Sequence, residues 1–221
     1  MEVRPQTAFS LLFFVQHFFL LSSFIIASCA SPTPNVPAET ITAYATDSAQ
    51  PWMSELFACA NEKNILVEVT AENPDISLRI GESEGFVSPA FQIDEEEILV
   101  VVNRESSIQN LTLEEVQALF AGQGDESVQV WAYASGLDLQ MMFDQFVMKG
   151  RSVTSFARLA SNPQEMSDVL GSESDAIGFL PKRWMMGSIR EVYSVGIFPI
   201  LAITKNEPLG AVSQLIGCLQ K

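Results

Sequence analysis

Basic residues are scarce: the 221-residue chain carries 12 Lys and Arg against 27 Asp and Glu, a formal net charge of −15. A surface of that sign repels phosphate backbones and anionic headgroups, which argues against nucleic-acid binding and requires any anionic ligand to be captured by local donors. Histidine is scarcer still. His17 is the only one, and it lies in the most apolar stretch of the N-terminus. If that stretch is removed, no imidazole is left for a Ser-His-Asp triad, a Cys-His pair or a histidine-rich zinc site. Internal repeats and long low-complexity tracts are missing as well. What is present, 48% hydrophobic residues including 15 Phe, is a globular composition, enough for one sizeable domain or two small lobes.

Met1 to Ser10 is polar with Arg4 as its only base, and Leu11 to Ile26 is dominated by Leu, Phe, Val and Ile. This is a charged n-region followed by an apolar h-region. The next residues, Ile26-Ala27-Ser28-Cys29, resemble the bacterial lipobox, in which two small residues precede a cysteine that is lipidated and becomes the new N-terminus. Residues 1–28 are therefore expected to be a lipoprotein signal peptide and Cys29 the lipidation site. An uncut membrane-spanning helix is the alternative, since the apolar run approaches the roughly 20 residues a bilayer needs. Residues 29–38, with Pro32, Pro34 and Pro37, read as an extended tether. Removing Glu2 and Arg4 leaves 11 bases and 26 acids, still −15. Cys59 and Cys218 would then sit outside the cytoplasm, where disulfides persist. A bond between them would staple the two ends of the mature chain; separate buried thiols are the other reading.

Strands are expected at Thr40–Ala45, Leu66–Thr70, Ile76–Arg79, Glu97–Asn103, Val128–Ala132, Ala176–Leu180, Ile189–Val195 and Ile200–Thr204. Helices are expected at Pro51–Glu62, with Pro in the first turn, and from Leu113 to near Gly122, behind a Thr112/Glu115 capping box. Others are expected at Asp138–Lys149, from Asn162-Pro163 to a left-handed stop at Gly171, and at Leu209–Leu219. Alternation of short strands with helices of about ten residues implies a largely parallel sheet with crossover helices. The acidic run Asp94-Glu95-Glu96-Glu97 reads as a solvated turn before the buried strand. Calcium binding there is disfavoured, because consecutive carboxylates on one strand alternate faces.

An ordered set of segments carries a resemblance: Leu99-Val-Val-Val-Asn103, Asn110-Leu-Thr-Leu-Glu-Glu-Val-Gln-Ala-Leu-Phe-Ala-Gly122, Trp131, Ser135-Gly136 and Asp175-Ala-Ile-Gly-Phe179. In order and spacing, behind a lipobox, the set is similar to the type II periplasmic substrate-binding proteins, specifically the phosphate-binding component of bacterial phosphate ABC transporters. The resemblance implies an α/β fold of two lobes with mixed, mostly parallel sheets, flanking helices and a ligand held between the lobes. Lobe I would comprise residues 38–98 and 196–221, lobe II residues 99–195. Both Cys59 and Cys218 would then fall in lobe I, which makes their pairing sterically reasonable.

Such proteins hold small anions with strand-to-helix turns whose free N–H groups point into the cleft. The resemblance places the first turn at Thr46, Asp47 and Ser48, the second at Ala134, Ser135, Gly136 and Asp138, and a further ligand-contacting loop at Arg79. Each has an ordinary alternative: helix caps for the first two turns, a surface side chain for Arg79. Phosphate-specific relatives show Arg-x-Asp-Gly-Ser-Gly-Thr at the second turn, where this chain reads Trp131-Ala-Tyr-Ala-Ser-Gly-Leu137. The Arg and Thr are missing, Asp47 brings a carboxylate to the first turn, and Trp131 and Tyr133 offer stacking surface to an organic ligand.

The expected function is capture of a small solute, phosphate-like or otherwise, by a monomeric lipid-anchored extracytoplasmic protein that presents it to an ABC transporter permease. No cofactor or metal is implied. The alternative is a binding or sensor lipoprotein that keeps the fold without the phosphate site. A hydrolase using Ser135 is disfavoured, because nothing in the turn activates its hydroxyl.

Overall fold

β1 (Glu39–Ala45) alternates its exposure, with Ile41, Ala43 and Ala45 buried, as a strand with one face on a core must. In the computed structural model, which describes residues 38–82 and 87–221, β1 pairs in parallel with β2 (Ile65–Val69) on one side and β3 (Ile76–Ile80) on the other. The expected signal peptide, Cys29 and residues 29–37 of the expected tether lie outside the described residues. The remaining strands are β4 (Ala90–Asn103), β5 (Gln129–Tyr133), β6 (Arg158–Ala160), β7 (Ala176–Pro181) and β8 (Ile189–Thr204). All join one eight-stranded sheet of order β2-β1-β3-β8-β4-β7-β5-β6.

The fold is thus α/β with a mixed sheet, parallel towards its edges and antiparallel at its centre. β5 pairs in parallel with β6 and β7, whereas β8 is antiparallel to β3 and β4, and β4 to β7. β4 and β8, of 14 and 16 residues, are shared by both halves of the sheet. β3 pairs with Ile200–Thr204 of β8, while β7 pairs with Ile98–Val102 of β4. Where the halves meet, the β4–β8 register slips between Ile98 and Leu99, opposite Gly196 and Ser194.

Two sequence expectations are corrected here. The acidic run Asp94–Glu97 is no turn but the middle of β4, and Glu96 is buried. Its side chains alternate between two faces and find separate partners: Trp52 and Arg183 for Asp94, Lys182 and Ser194 for Glu97. Likewise Ile189–Val195 and Ile200–Thr204 are one strand. Gly196 and Pro199 suggest a break, but β8 absorbs Gly196 at the register slip, and Pro199, which has no N–H to lose, offers its carbonyl to Gly81 N–H at 2.8 Å.

Among the described residues, five α-helices cover the sheet: α1 (Pro51–Lys63), α2 (Leu113–Phe120), α3 (Asp138–Phe143), α4 (Pro163–Ser172) and α5 (Gly210–Leu219). Their ends follow from local chemistry. The Thr112/Glu115 capping box is formed in both directions at α2, and Asn162 accepts from Glu165 N–H at the start of α4. Gly171 is not a left-handed stop: α4 runs past it to Ser172 and ends at extended Glu173. The helix expected over Asp138–Lys149 is α3 followed by a π-helical turn, Asp144–Met148, closed by left-handed Lys149. α1 and α5 are joined by the Cys59–Cys218 disulfide, with Cα atoms 5.9 Å apart.

Candidate functional site

The senses of pairing place two loops opposite each other. β1 runs in the direction of β4, and β5 in the direction of β8, so the C-terminal ends of β1 and β5 both point towards the middle of the crossing strands. In a flat sheet these two strands, five positions apart, would be separated by about 24 Å. Instead Thr46 Oγ1, just after β1, donates to Asp138 Oδ2 at the start of α3 over 2.7 Å. Twist and the register slips fold the two halves of the sheet towards each other, and a cleft forms between them.

The cleft holds a cavity of about 220 Å³ lined by Tyr44, Thr46, Asp47, Ser48 and Arg79 from one half and by Tyr133, Gly136–Leu139, Met141 and Ser161–Pro163 from the other. Of the eight residues expected to bind ligand, Thr46, Asp47, Ser48, Arg79, Gly136 and Asp138 line this one space. Ala134 and Ser135 do not. Both are exposed on the turn, and Ser135 faces a shallower depression together with Asp144, Arg151 and Ser152. The reason is local: Gly136, at φ +97°, reverses the chain between Ser135 and Asp138, so the two sides of the turn look in different directions. Trp131 is likewise engaged elsewhere, its Nε1 donating to Glu173 and its ring beneath the Arg158 guanidinium.

Backbone preorganisation is strong on the first wall. Residues Asp47–Ala49 form a 3₁₀ turn after extended Thr46, whose N–H donates to Leu78 C=O at 3.0 Å. Ser48 is buried; its hydroxyl donates to Asp138 Oδ2 at 2.5 Å, and its carbonyl accepts from Trp184 Nε1 at 3.3 Å. Arg79 stands on β3 between buried Leu78 and Ile80.

On the second wall, Asp138 is 7% exposed and Tyr133 2%. The Asp138 Oδ1 atom accepts from Leu139 N–H at 2.9 Å. The Tyr133 ring packs edge-on against Phe179, which in turn stacks on Phe143 at 4.0 Å. That aromatic core fixes the ring, while its hydroxyl is buried without a hydrogen-bond partner. Burial, and then the charge of Asp138, push the Tyr133 phenol well above its usual range, so it stays protonated.

Sequence reading missed Tyr44, Asn162 and Trp184 at this site. Tyr44 is one of two outward positions near the end of β1, and Asn162 is already accounted for as a helix cap, so neither carries a signal beyond its structural role. Trp184 follows β7 in a short 3₁₀ turn, Lys182–Trp184, and only the folded sheet brings it to Ser48. Among the described residues no group of three or more His, Cys, Asp or Glu side chains is placed to hold a metal ion.

No protein-family model matches the chain, and no curated protein does. Solved structures do match. A protein assigned as a phosphate ABC transporter substrate-binding protein from Clostridium perfringens, with bound phosphate, superposes with a TM-score of 0.73 at 14% identity, over 82% of this chain and 93% of that one. An ABC-type phosphate transport receptor from Vibrio cholerae gives 0.64 at 15% identity, over 82% and 93%. The regulatory domain of an OxyR2 variant from Vibrio vulnificus gives 0.62 at 12%, over 83% and 97%. The fold is therefore that of the two-lobed type II periplasmic-binding-protein group, which these transport receptors share with regulatory domains.

Proposed function

We propose that the chain is an extracytoplasmic solute-binding protein, anchored through Cys29, that captures a small solute between its lobes for an ABC transporter permease. The observation carrying this reading is a cavity lined from both halves of the sheet by residues that bear hydroxyl, guanidinium and phenol groups. The solute class is small and polar, with phosphate the first candidate because the neighbours above are named for it. The hinge lies between lobe I (38–98 and 196–221) and lobe II (99–195), a division supported by the register slip opposite Gly196. Ligand contacts from both lobes favour the closed form, and closure is what a permease reads. No catalytic step is assigned to the chain.

Ligand sensing without transport is the second reading, favoured by the regulatory-domain neighbours and by the replacement of the expected Thr by Leu137. A thermal-shift screen of inorganic anions, carboxylates, amino acids and sugars tests the shared premise. A ligand of this cleft raises the melting temperature saturably, by the equivalent of about 2.7 kcal/mol at a hundredfold excess over Kd. A flat response across the whole panel overturns solute capture. Labelling with radioactive palmitate, lost on Cys29→Ser, tests the anchor.

A further inference from the structure

A hydroxyl group has one proton to donate. In the cleft, the protons of Thr46 and Ser48 are directed to a carboxylate of the protein itself, with Thr46 Oγ1 at 2.7 Å and Ser48 Oγ at 2.5 Å from the same atom, Asp138 Oδ2. These hydroxyls come from the loop after β1 and the carboxylate from the loop after β5, so the pair of bonds spans the cleft. The contact is built in rather than superficial. Asp138 and Ser48 are buried, Leu139 N–H fixes the other carboxylate oxygen, and the Trp184 indole fixes the Ser48 carbonyl. An anion entering the cavity therefore finds the Thr46 and Ser48 hydroxyls already bound to a negative group, with Asp47 lining the same wall. It must either displace that group or lie beside it as a like charge. On the second wall the Tyr133 hydroxyl is buried and without a hydrogen-bond partner.

We propose that Asp138 is a resident anion: its carboxylate takes the hydroxyl pair of the first lobe, latches the two lobes together, and competes with any free oxyanion for the same donors. The proposal rests on the cleft being a solute site, and it deepens that reading by naming the residue that sets its selectivity. An incoming oxyanion binds by exchange, with Thr46 and Ser48 turning from Asp138 to the solute. The anion affinity of the unmodified protein is accordingly held down by a group that carries the same charge.

Two measurements on the full chain separate the latch from the solute reading. The first needs no solute. Small-angle scattering of the Asp138→Ala protein is expected to give a larger radius of gyration than the unmodified protein, and Asp138→Asn, which keeps one acceptor, an intermediate one. An unchanged radius overturns the latch and leaves solute capture standing. The second is calorimetric titration with inorganic phosphate: Asp138→Ala is expected to bind at least roughly tenfold more tightly, the scale of one charge-assisted hydrogen bond. Tighter binding by the unmodified protein overturns the competition and makes Asp138 a solute contact. Binding by neither overturns it too, while the solute reading is then judged by the thermal-shift panel. Should Asp138→Ala fail to fold, the Thr46→Val, Ser48→Ala double variant cuts the same latch from the other lobe and is expected to open the cleft equally.

Discussion

Glu96 shows how a residue can be misplaced by its neighbours. In sequence it belongs to a run of four acids, and such runs are normally solvated; in the fold it is 4% exposed on β4. Its Oε1 accepts from Arg183 N–H at 3.2 Å, and its Oε2 lies 3.3 Å from the Arg183 guanidinium, which also reaches Asp94 at 2.7 Å and covers the Trp52 ring at 4.5 Å. Burial nonetheless wins and raises the Glu96 carboxyl above its usual 4.5, with the nearby charge of Asp94 adding to the rise. A raised carboxylate pKa means that the folded state holds its proton more tightly than the unfolded chain. The resulting stability is present below 4.5 and is lost as pH rises through the folded value. Glu96→Gln is therefore expected to become progressively more stable relative to the parent as pH climbs above 4.5, measured by urea unfolding at a series of pH values. A pH-independent difference would show that Glu96 is not the titrating group. Nothing in the sequence marks this residue out, because its burial depends on Arg183, 87 positions away.

At the scale of elements, what was legible was what is local. The capping residues Thr112 and Asn162, the proline-led starts of α1 and α4 and the Ile98–Val102 run, wholly buried on both faces, all follow from chemistry within a few residues. The long strands were not legible, because the first half of β4 mixes exposed, half-buried and buried positions and β8 carries Gly196 and Pro199, both of which ordinarily end a strand. Pairing of Cys59 with Cys218, across 159 positions, is settled by the packing of α1 on α5. Cys59 is buried on α1 and Cys218 on α5, and both helices cover the β1 side of the sheet. Closing so long a loop restricts the unfolded chain strongly. Cys59→Ser, or reduction, is expected to cost about 2–5 kcal/mol of stability without changing the secondary structure. Equal denaturation midpoints with and without reductant would remove the staple from the account.

At the scale of the molecule, the site exists because one sheet is shared between two lobes. Six of the eight expected ligand residues converge although they come from loops as far apart as residues 46 and 138, and the convergence is a property of strand order, not of any motif. β4 and β8 must bend where the lobes meet, and Gly196 sits at that point with φ +147°, a conformation that residues with a side chain rarely adopt. A Cβ there would meet only the far edge of the Phe198 ring, at 3.5 Å, so crowding is not the obstacle; backbone conformation is. Gly196→Val is thus expected to cost roughly 1–3 kcal/mol in unfolding free energy, from a position outside the cavity lining. Because the strain falls on the strands joining the lobes, the same variant is expected to change the lobe separation seen by scattering, while a control at Gly150, which has φ +87° and open space on a surface loop, leaves it unaltered. Identical scattering from both variants would mean that the bend is held by the lobes themselves and not by the crossing strands.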